Sequence, residues 1–333
     1  MCVRNDRRKE NKALMVKKIL FIIILILSVN VFFSCTLKLD YNESVSYFAK
    51  NEFIRLGSFP KSEVNEETTL LLESKYQKNE LEKIGNYFLL NNKMYSRKVI
   101  INDYVEEDTS DDYFELFTQY KVGSIHWFIV EPIKWRVMNS QNGYVILFTN
   151  ELIMARQYSS GENEKDWLWE NSDLRKYLNG EFFNMAFSTE EKKLLIKTES
   201  PCYYISNPGR IKYERKSVED YIRIPEWREM LIKEHFENDA ERRSNVTDYA
   251  RACGGACVSE NALIYFEKNI PEYQQYIGSG IYWLMDTEYN SDFVYIVYEY
   301  GNVISYKRNV KNRTIRPVIV CKYDDIKEMI VND

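Results

Sequence analysis

The sequence predicts an α+β domain, built of antiparallel strands and a few helices and preceded by an export segment. Three observations carry that expectation: apolar–polar alternation around residues 133–149 and 281–321, helix-capping residues between 171 and 191, and one uncharged apolar run near the N-terminus. Strand-like runs gather late in the chain instead of alternating singly with helices, which argues against a doubly wound sheet.

The export segment comes first. Residues 1–18 carry a net charge of +5, and Ile19 to Ser34 is an uncharged run of 16 residues. That is shorter than the roughly 20 residues a transmembrane helix needs, and it fits the apolar core of a secretory signal. Met15 is an alternative start, since Lys17 and Lys18 lead straight into the run. The run ends in Val31-Phe32-Phe33-Ser34-Cys35-Thr36, a small residue directly before a cysteine. This resembles a bacterial lipoprotein signal of the looser, spirochaete type, with Phe32 and Phe33 where the best-known form has Leu and a small residue. The resemblance implies a diacylglyceryl group on Cys35, which becomes the mature N-terminus. The alternatives are an ordinary cleaved signal and an uncleaved anchor. The expected division is therefore a signal peptide over 1–34, a lipidated N-terminus and tether over 35–50, a single domain over 51–323 and a peripheral tail over 324–333. The last begins at Asp324.

Within the domain, Asp103 to Glu115 is expected to be a solvated acidic loop. Ile133, Trp135 and Val137 alternate with Lys134, Arg136 and Met138, which predicts a half-buried strand, with Gly143 to Thr149 as its hairpin partner. Asn171 or Ser172 is placed to cap a helix bearing Leu174, Tyr177 and Leu178, with a weak point at Gly180 before Phe182 and Phe183. Ser188-Thr189-Glu190-Glu191 has the form of a capping box. Asp220 to Pro225 predicts a short strand and Glu226 to Phe236 a helix. Residues 281–285, 293–298, 303–306 and 316–321 predict four further strands, the middle pair joined through Gly301-Asn302.

Composition narrows the function classes. A net charge of −5 leaves no basic surplus for nucleic acid, so no nucleic-acid partner is expected. Two His and six Cys offer little for zinc or copper, and no cofactor is expected. Cys253 and Cys257, separated by Gly254-Gly255-Ala256, are a possible disulfide or thiol pair, with a local turn favoured over a redox or metal role. His235 with either cysteine is a conceivable nucleophilic pair that no spacing supports. Asp286, Glu288, Asn290 and Asp292 place oxygen ligands at every second position. They are calcium candidates, weighed against a solvated connection between strands. Arg316 is assigned to an internal ion pair in preference to a ligand contact. The 26 tyrosines suit carbohydrate or protein contact. Tyr203, Tyr204, Tyr273, Tyr276 and Tyr289 are the surface candidates, whereas Trp135, Trp169, Trp227 and Trp283 are assigned to the core.

Several short motifs point further. Ile54 to Pro60 (IRLGSFP), Glu131 to Val137 (EPIKWRV), Trp169-Glu170, Leu174 to Asn179 (LRKYLN), Phe182-Phe183-Asn184, Thr247 to Ala250 (TDYA), Trp283-Leu284 and Arg316-Pro317 occur in this order. Their order resembles a bacterial domain family of unknown function common in lipoproteins and surface proteins. That resemblance implies a fold similar to the C-type-lectin-like, sulfatase-modifying-factor domain of formylglycine-generating enzymes. It implies no activity, since the domain family has none assigned, and the oxidase activity is not carried over because residues 281–306 lack the cysteine pair those enzymes use. The expected protein is thus a lipid-anchored module of the bacterial cell envelope, on the periplasmic side or the cell surface. It would bind a glycan or protein without catalysis. A diverged envelope enzyme or a structural lipoprotein are the alternatives.

Overall fold

The computed structural model describes residues 52–101, 120–163, 167–206, 210–265, 268–288 and 291–332. Cys35, the signal and tether over 1–50, the acidic stretch from Asp103 to Glu115, and Tyr289 and Asn290 lie outside them. In chain order the strands are β1 (Glu52–Glu63), β2 (Glu82–Ile84), β3 (Tyr87–Leu90), β4 (Lys93–Val99), β5 (Ile125–Gln141), β6 (Tyr144–Thr149), β7 (Met154–Ala155), β8 (Thr198–Ser206), β9 (Arg210–Asp220), β10 (Ile222–Arg223), β11 (Tyr282–Glu288), β12 (Phe293–Val297), β13 (Val303–Lys307), β14 (Thr314–Ile315), β15 (Val318–Lys322) and β16 (Val331–Asn332). The helices that matter below are α1 (Glu66–Gln77), α2 (Asp173–Tyr177), α3 (Thr189–Lys192), α4 (Trp227–Leu231), α5 (Asp239–Arg242) and α6 (Asp248–Ala252).

The architecture is mixed α+β, with mostly antiparallel strands in two sheets and short helices between them. The nine-stranded sheet runs β10-β15-β6-β5-β4-β3-β2, with β1 on the free side of β5 and β16 beyond it. β5 is its spine. At 17 residues it extends well upstream of the predicted alternation, so that β4 pairs with its first part and β6 with its last. The β5–β6 turn is tight, with Gln141 opposite Tyr144 and both Asn142 and Gly143 at positive φ. That is the backbone a two-residue hairpin demands, and Asn-Gly supplies it at least cost. The seven-stranded sheet runs β13-β12-β11-β14-β7, with β8 parallel to β11 and β9 hairpinned on β8.

The main core lies between these layers and joins both. Ile54, Leu56, Trp135 and Leu147 from one sheet meet Trp283, Met285 and Ile296 from the other, with Leu174, Leu178 and Phe182 from the helical segment. Three fully buried indoles of this core each find a partner for the N–H, as burial requires. Trp135 donates to the Leu56 carbonyl at 2.7 Å, Trp169 to Asp220 at 2.8 Å and Trp283 to the Arg156 carbonyl at 2.8 Å. Trp227, expected in the core, is only half-buried.

Ser172 caps α2 by accepting from the Arg175 amide, and the weak point at Gly180 is a π-helical turn over Leu178–Phe182. Ser188 and Glu191 form the reciprocal capping box of α3, but the helix lasts four residues. Two other expectations shrink. The strand over 220–225 contracts to β10, and the helix over 226–236 ends at Leu231 because Ile232 turns to extended backbone. Residues 324–332, expected as a peripheral tail, instead bury Ile326 and end in β16 paired with β1.

Candidate functional site

A polar cleft of about 740 Å³ opens where β4, β7, α2, the end of α6 and the loop before β14 converge. Its volume falls within the range of small-ligand sites, about 300–1,000 Å³. Ala155, Tyr177 and Cys253 form a buried floor. Lys98, Arg156, Lys176 and Lys311 bring four cations to the walls against Asp173 and Glu181.

Local sequence explains each wall. The Trp283 indole holds the Arg156 carbonyl, and the Arg156 guanidinium lies 4.4 Å from the centre of the Tyr177 ring. Stacking of this kind fixes a flexible cation without neutralising it. Asp173 opens α2 and accepts from both the Ser160 amide (2.9 Å) and hydroxyl (2.7 Å), tying the Arg156–Ser160 segment to the helix. Those hydrogen bonds hold the Asp173 carboxyl below its ordinary range, with Lys176 3.4 Å away adding to the effect. Lys98 reaches from β4 to within 5.5 Å of the Tyr249 ring centre and touches the Cys253 thiol.

Asp173 is therefore partly neutralised by Lys176, whereas neither Arg156 nor Lys311 meets a carboxylate among the described residues. The cleft presents a net positive surface inside a chain of negative net charge. At its floor, burial pushes the Cys253 thiol up, against the opposing pull of the Lys98 ammonium. A protonated thiol is a poor nucleophile.

Cys253, Cys257 and Cys321 are all buried, and none of the three is in a disulfide. Cys253 faces Lys98, Tyr249 and the Ala155 backbone; His235 is not among its neighbours. Of the calcium candidates, Asp286 and Glu288 lie on β11, with Asp286 buried and Glu288 accepting from Ser305 at 3.0 Å. Among the described residues no group of three His, Cys, Asp or Glu is arranged to hold a metal ion. Arg316 is internal as expected, but its partners are not carboxylates. It donates to the Thr149 and Arg242 carbonyls and to the Tyr282 hydroxyl, with three aromatic rings around it. Tyr203 is buried, contrary to its expected surface position; Tyr273 and Tyr276 are half-buried and touch each other edge to face.

The cleft cations were not legible as a motif, since they are spread from residue 98 to residue 311 and only the fold joins them. No curated protein and no solved structure matches the chain. A family model does match over residues 142–323, more than half of the chain, and that span contains every named cleft residue except Lys98. The chain belongs to the family described as Domain of unknown function (DUF6273).

Proposed function

We propose that this chain is a lipid-anchored protein of the bacterial cell envelope, tethered through Cys35, whose folded part binds an acidic glycan in the cleft. One observation carries the ligand class: Arg156 and Lys311 face the cleft without a carboxylate partner among the described residues. Two cations without carboxylate partners, Arg156 half-buried and Lys311 exposed at the rim, favour carboxylate or sulfate groups. The polar lining residues Gln157 and Ser160 suit sugar hydroxyls, and the size suits a short oligosaccharide. The finer fold reading, a C-type-lectin-like domain, belongs to the same proposal. The charge, apolar run and cysteine of the first 35 residues support the anchor.

The alternative of a diverged envelope oxidase draws on Cys253 at the cleft floor, and the buried, protonated state of that thiol speaks against it. Two experiments test the proposal. Palmitate is expected to label the full-length protein in a lipoprotein-processing bacterium and not its Cys35→Ala variant; equal labelling, or none, contradicts the anchor. A panel of neutral, uronate-bearing and sulfated oligosaccharides is expected to give binding confined to the acidic members. Binding of neutral sugars alone contradicts the ligand class.

A further inference from the structure

Outside the cleft and upstream of the family match, one histidine is held at both ring nitrogens. Ser124 precedes β5 and His126 lies two residues on, so both project from one face of the strand. Glu63 ends the neighbouring strand β1, its amide fixed by a 3.0 Å bond to Asp248 at the start of α6. His126 Nδ1 lies 2.5 Å from Glu63 Oε1, and Nε2 lies 2.8 Å from Ser124 Oγ. The second Glu63 oxygen accepts from the Tyr120 hydroxyl at 2.9 Å, and the Tyr120 ring packs edge-on against the imidazole at 4.8 Å. The His126 and Glu63 side chains are 14% and 27% exposed, so water reaches the line without flooding it. Lys98 stands opposite His126 in the β4–β5 register, with its ammonium on the Tyr249 ring and the Cys253 thiol. Lys121, in the turn before β5, is exposed.

The hydrogens available fix the state of the ring. The Ser124 hydroxyl has one hydrogen, which goes to the Lys121 carbonyl at 2.6 Å. Ser124 Oγ therefore meets Nε2 with a lone pair, and that contact needs a hydrogen on the nitrogen. The Glu63 carboxylate brings no hydrogen of its own, so the contact at Nδ1 needs a second one. A neutral imidazole carries only one. These contacts are those of an imidazolium, donating to Glu63 on one side and to Ser124 on the other. The ring thereby joins the end of β1 to the turn that precedes β5. That turn closes on the residue after β4, with the Gly123 amide on the Ile100 carbonyl at 2.8 Å and the Ile100 amide on the Ser124 carbonyl at 3.0 Å. Val122 and Gly123 at its tip are exposed.

We infer that His126 is a proton-operated latch: as an imidazolium it ties the Tyr120–Ser124 turn to the end of β1, and loss of its proton loosens that turn. The neutral ring keeps a single hydrogen, which the Glu63 carboxylate holds on Nδ1. Nε2 then becomes an acceptor. Either its lone pair faces those of Ser124 Oγ, or the hydroxyl swings its hydrogen from the Lys121 carbonyl to Nε2. In both cases the turn loses one hydrogen bond, and the ion pair with Glu63 becomes a bond to a neutral ring. The turn is thus firm on the acid side of the ring's deprotonation and loose on the alkaline side. The latch is independent of the glycan reading of the cleft.

The test is amide hydrogen exchange of the full-length protein in detergent micelles at about pH 5 and about pH 8.5, on either side of the ordinary histidine range. Rates for peptides spanning Tyr120 to His126 are divided by those of the unfolded chain at the same pH, and peptides from β6 report any change in the whole fold. Protection of the turn is expected to fall by about ten-fold or more at the higher pH, beyond any change in β6. His126→Gln is expected to remove that difference, and Ser124→Ala to show the weaker protection at both pH values. The chain has two histidines, so nitrogen-15 labelling identifies the ring whose resonances vanish in His126→Gln. That ring is expected to carry hydrogen on both nitrogens at the lower pH and on Nδ1 alone at the higher. Equal protection at the two pH values, an undiminished response in Ser124→Ala, or a ring already neutral at the lower pH overturns the inference. If His126→Gln does not fold, the ring whose Nε2 resonance moves in Ser124→Ala is followed instead, and the same outcomes decide.

Discussion

Arg223 and Glu229 meet in a buried two-point ion pair, with Nη1 2.7 Å from Oε2 and Nη2 2.6 Å from Oε1. Arg223 is only 3% exposed and Glu229 is fully buried. Glu229 also accepts from the Glu226 amide at 2.8 Å, so the pair closes the first turn of α4 against β10. A bidentate guanidinium–carboxylate contact is among the stronger polar interactions available, but both charges have lost their water.

Breaking this pair from one side is expected to cost about 3–5 kcal/mol, because the surviving charge is left buried and unmatched. Arg223→Leu in urea unfolding measures it. The double variant Arg223→Met with Glu229→Leu is expected to lose much less than the single one; equal losses would assign the cost to packing instead of charge.

Beside the pair, Asp286 is buried on β11 and accepts from the Trp227 amide at 2.5 Å. Burial pushes its carboxyl up from 3.8 to about 7, reinforced by the Glu229 charge and opposed by the Trp227 and Tyr203 amides and Arg228. Burial and the Glu229 charge raise the Glu226 carboxyl in the same direction. The folded state therefore holds a proton that the unfolded chain releases near its ordinary value. Stability contributed by the protonated Asp286 is complete below the ordinary value and is lost as pH rises through about 7. Asp286→Asn is expected to flatten this slope in a series of unfolding curves from acid to neutral pH, leaving the share that belongs to Glu226. An unchanged slope would remove Asp286 from the linkage.

Gly301 sits at φ +90° in the β12–β13 turn, and a Cβ there would lie 1.7 Å from the Asp239 carbonyl oxygen. Both the left-handed backbone and the overlap oppose any side chain. Gly301→Ala is expected to destabilise the fold by about 2–5 kcal/mol, from strain of about 1–2 and overpacking of about 1–3 kcal/mol. Thermal unfolding checks it; a change within about 0.5 kcal/mol, typical of neutral surface sites, would contradict the packing of α5 on this turn.

Cys253, Cys257 and Cys321 are expected to react slowly with a thiol reagent in the native protein and rapidly after unfolding, since all three are buried and burial raises the Cys253 and Cys321 thiols, the latter to about 12. A fast native reaction, or a Cys253–Cys257 disulfide in mass spectra, would contradict their placement.

What the sequence revealed was what local chemistry decides. The alternation around Trp135, the Ser188–Glu191 box, the Ser172 cap and the Gly301 turn depend on neighbours in the chain, and each is found where expected. The segment from Glu226 to Phe236 shows the limit. Its apolar spacing fits a helix, yet after Leu231 the chain leaves helical backbone and buries His235 and Phe236 separately, so tertiary packing overrides periodicity. Arg316 shows a related limit. Its internal position was legible, but partners drawn from residues 149, 242 and 282 exist only after folding. The cleft is likewise assembled from elements far apart in the chain.

The most direct measurement of the proposed function is calorimetric titration of the full-length protein in detergent with uronate-bearing oligosaccharides, beside an Arg156→Ala, Lys311→Ala double variant. Saturable binding that weakens with salt and falls by about ten-fold or more in the variant is the expected result, each charged hydrogen bond being worth about 1.5–3 kcal/mol. No binding of any acidic oligosaccharide, or equal affinity in the double variant, would contradict the assignment of the cleft.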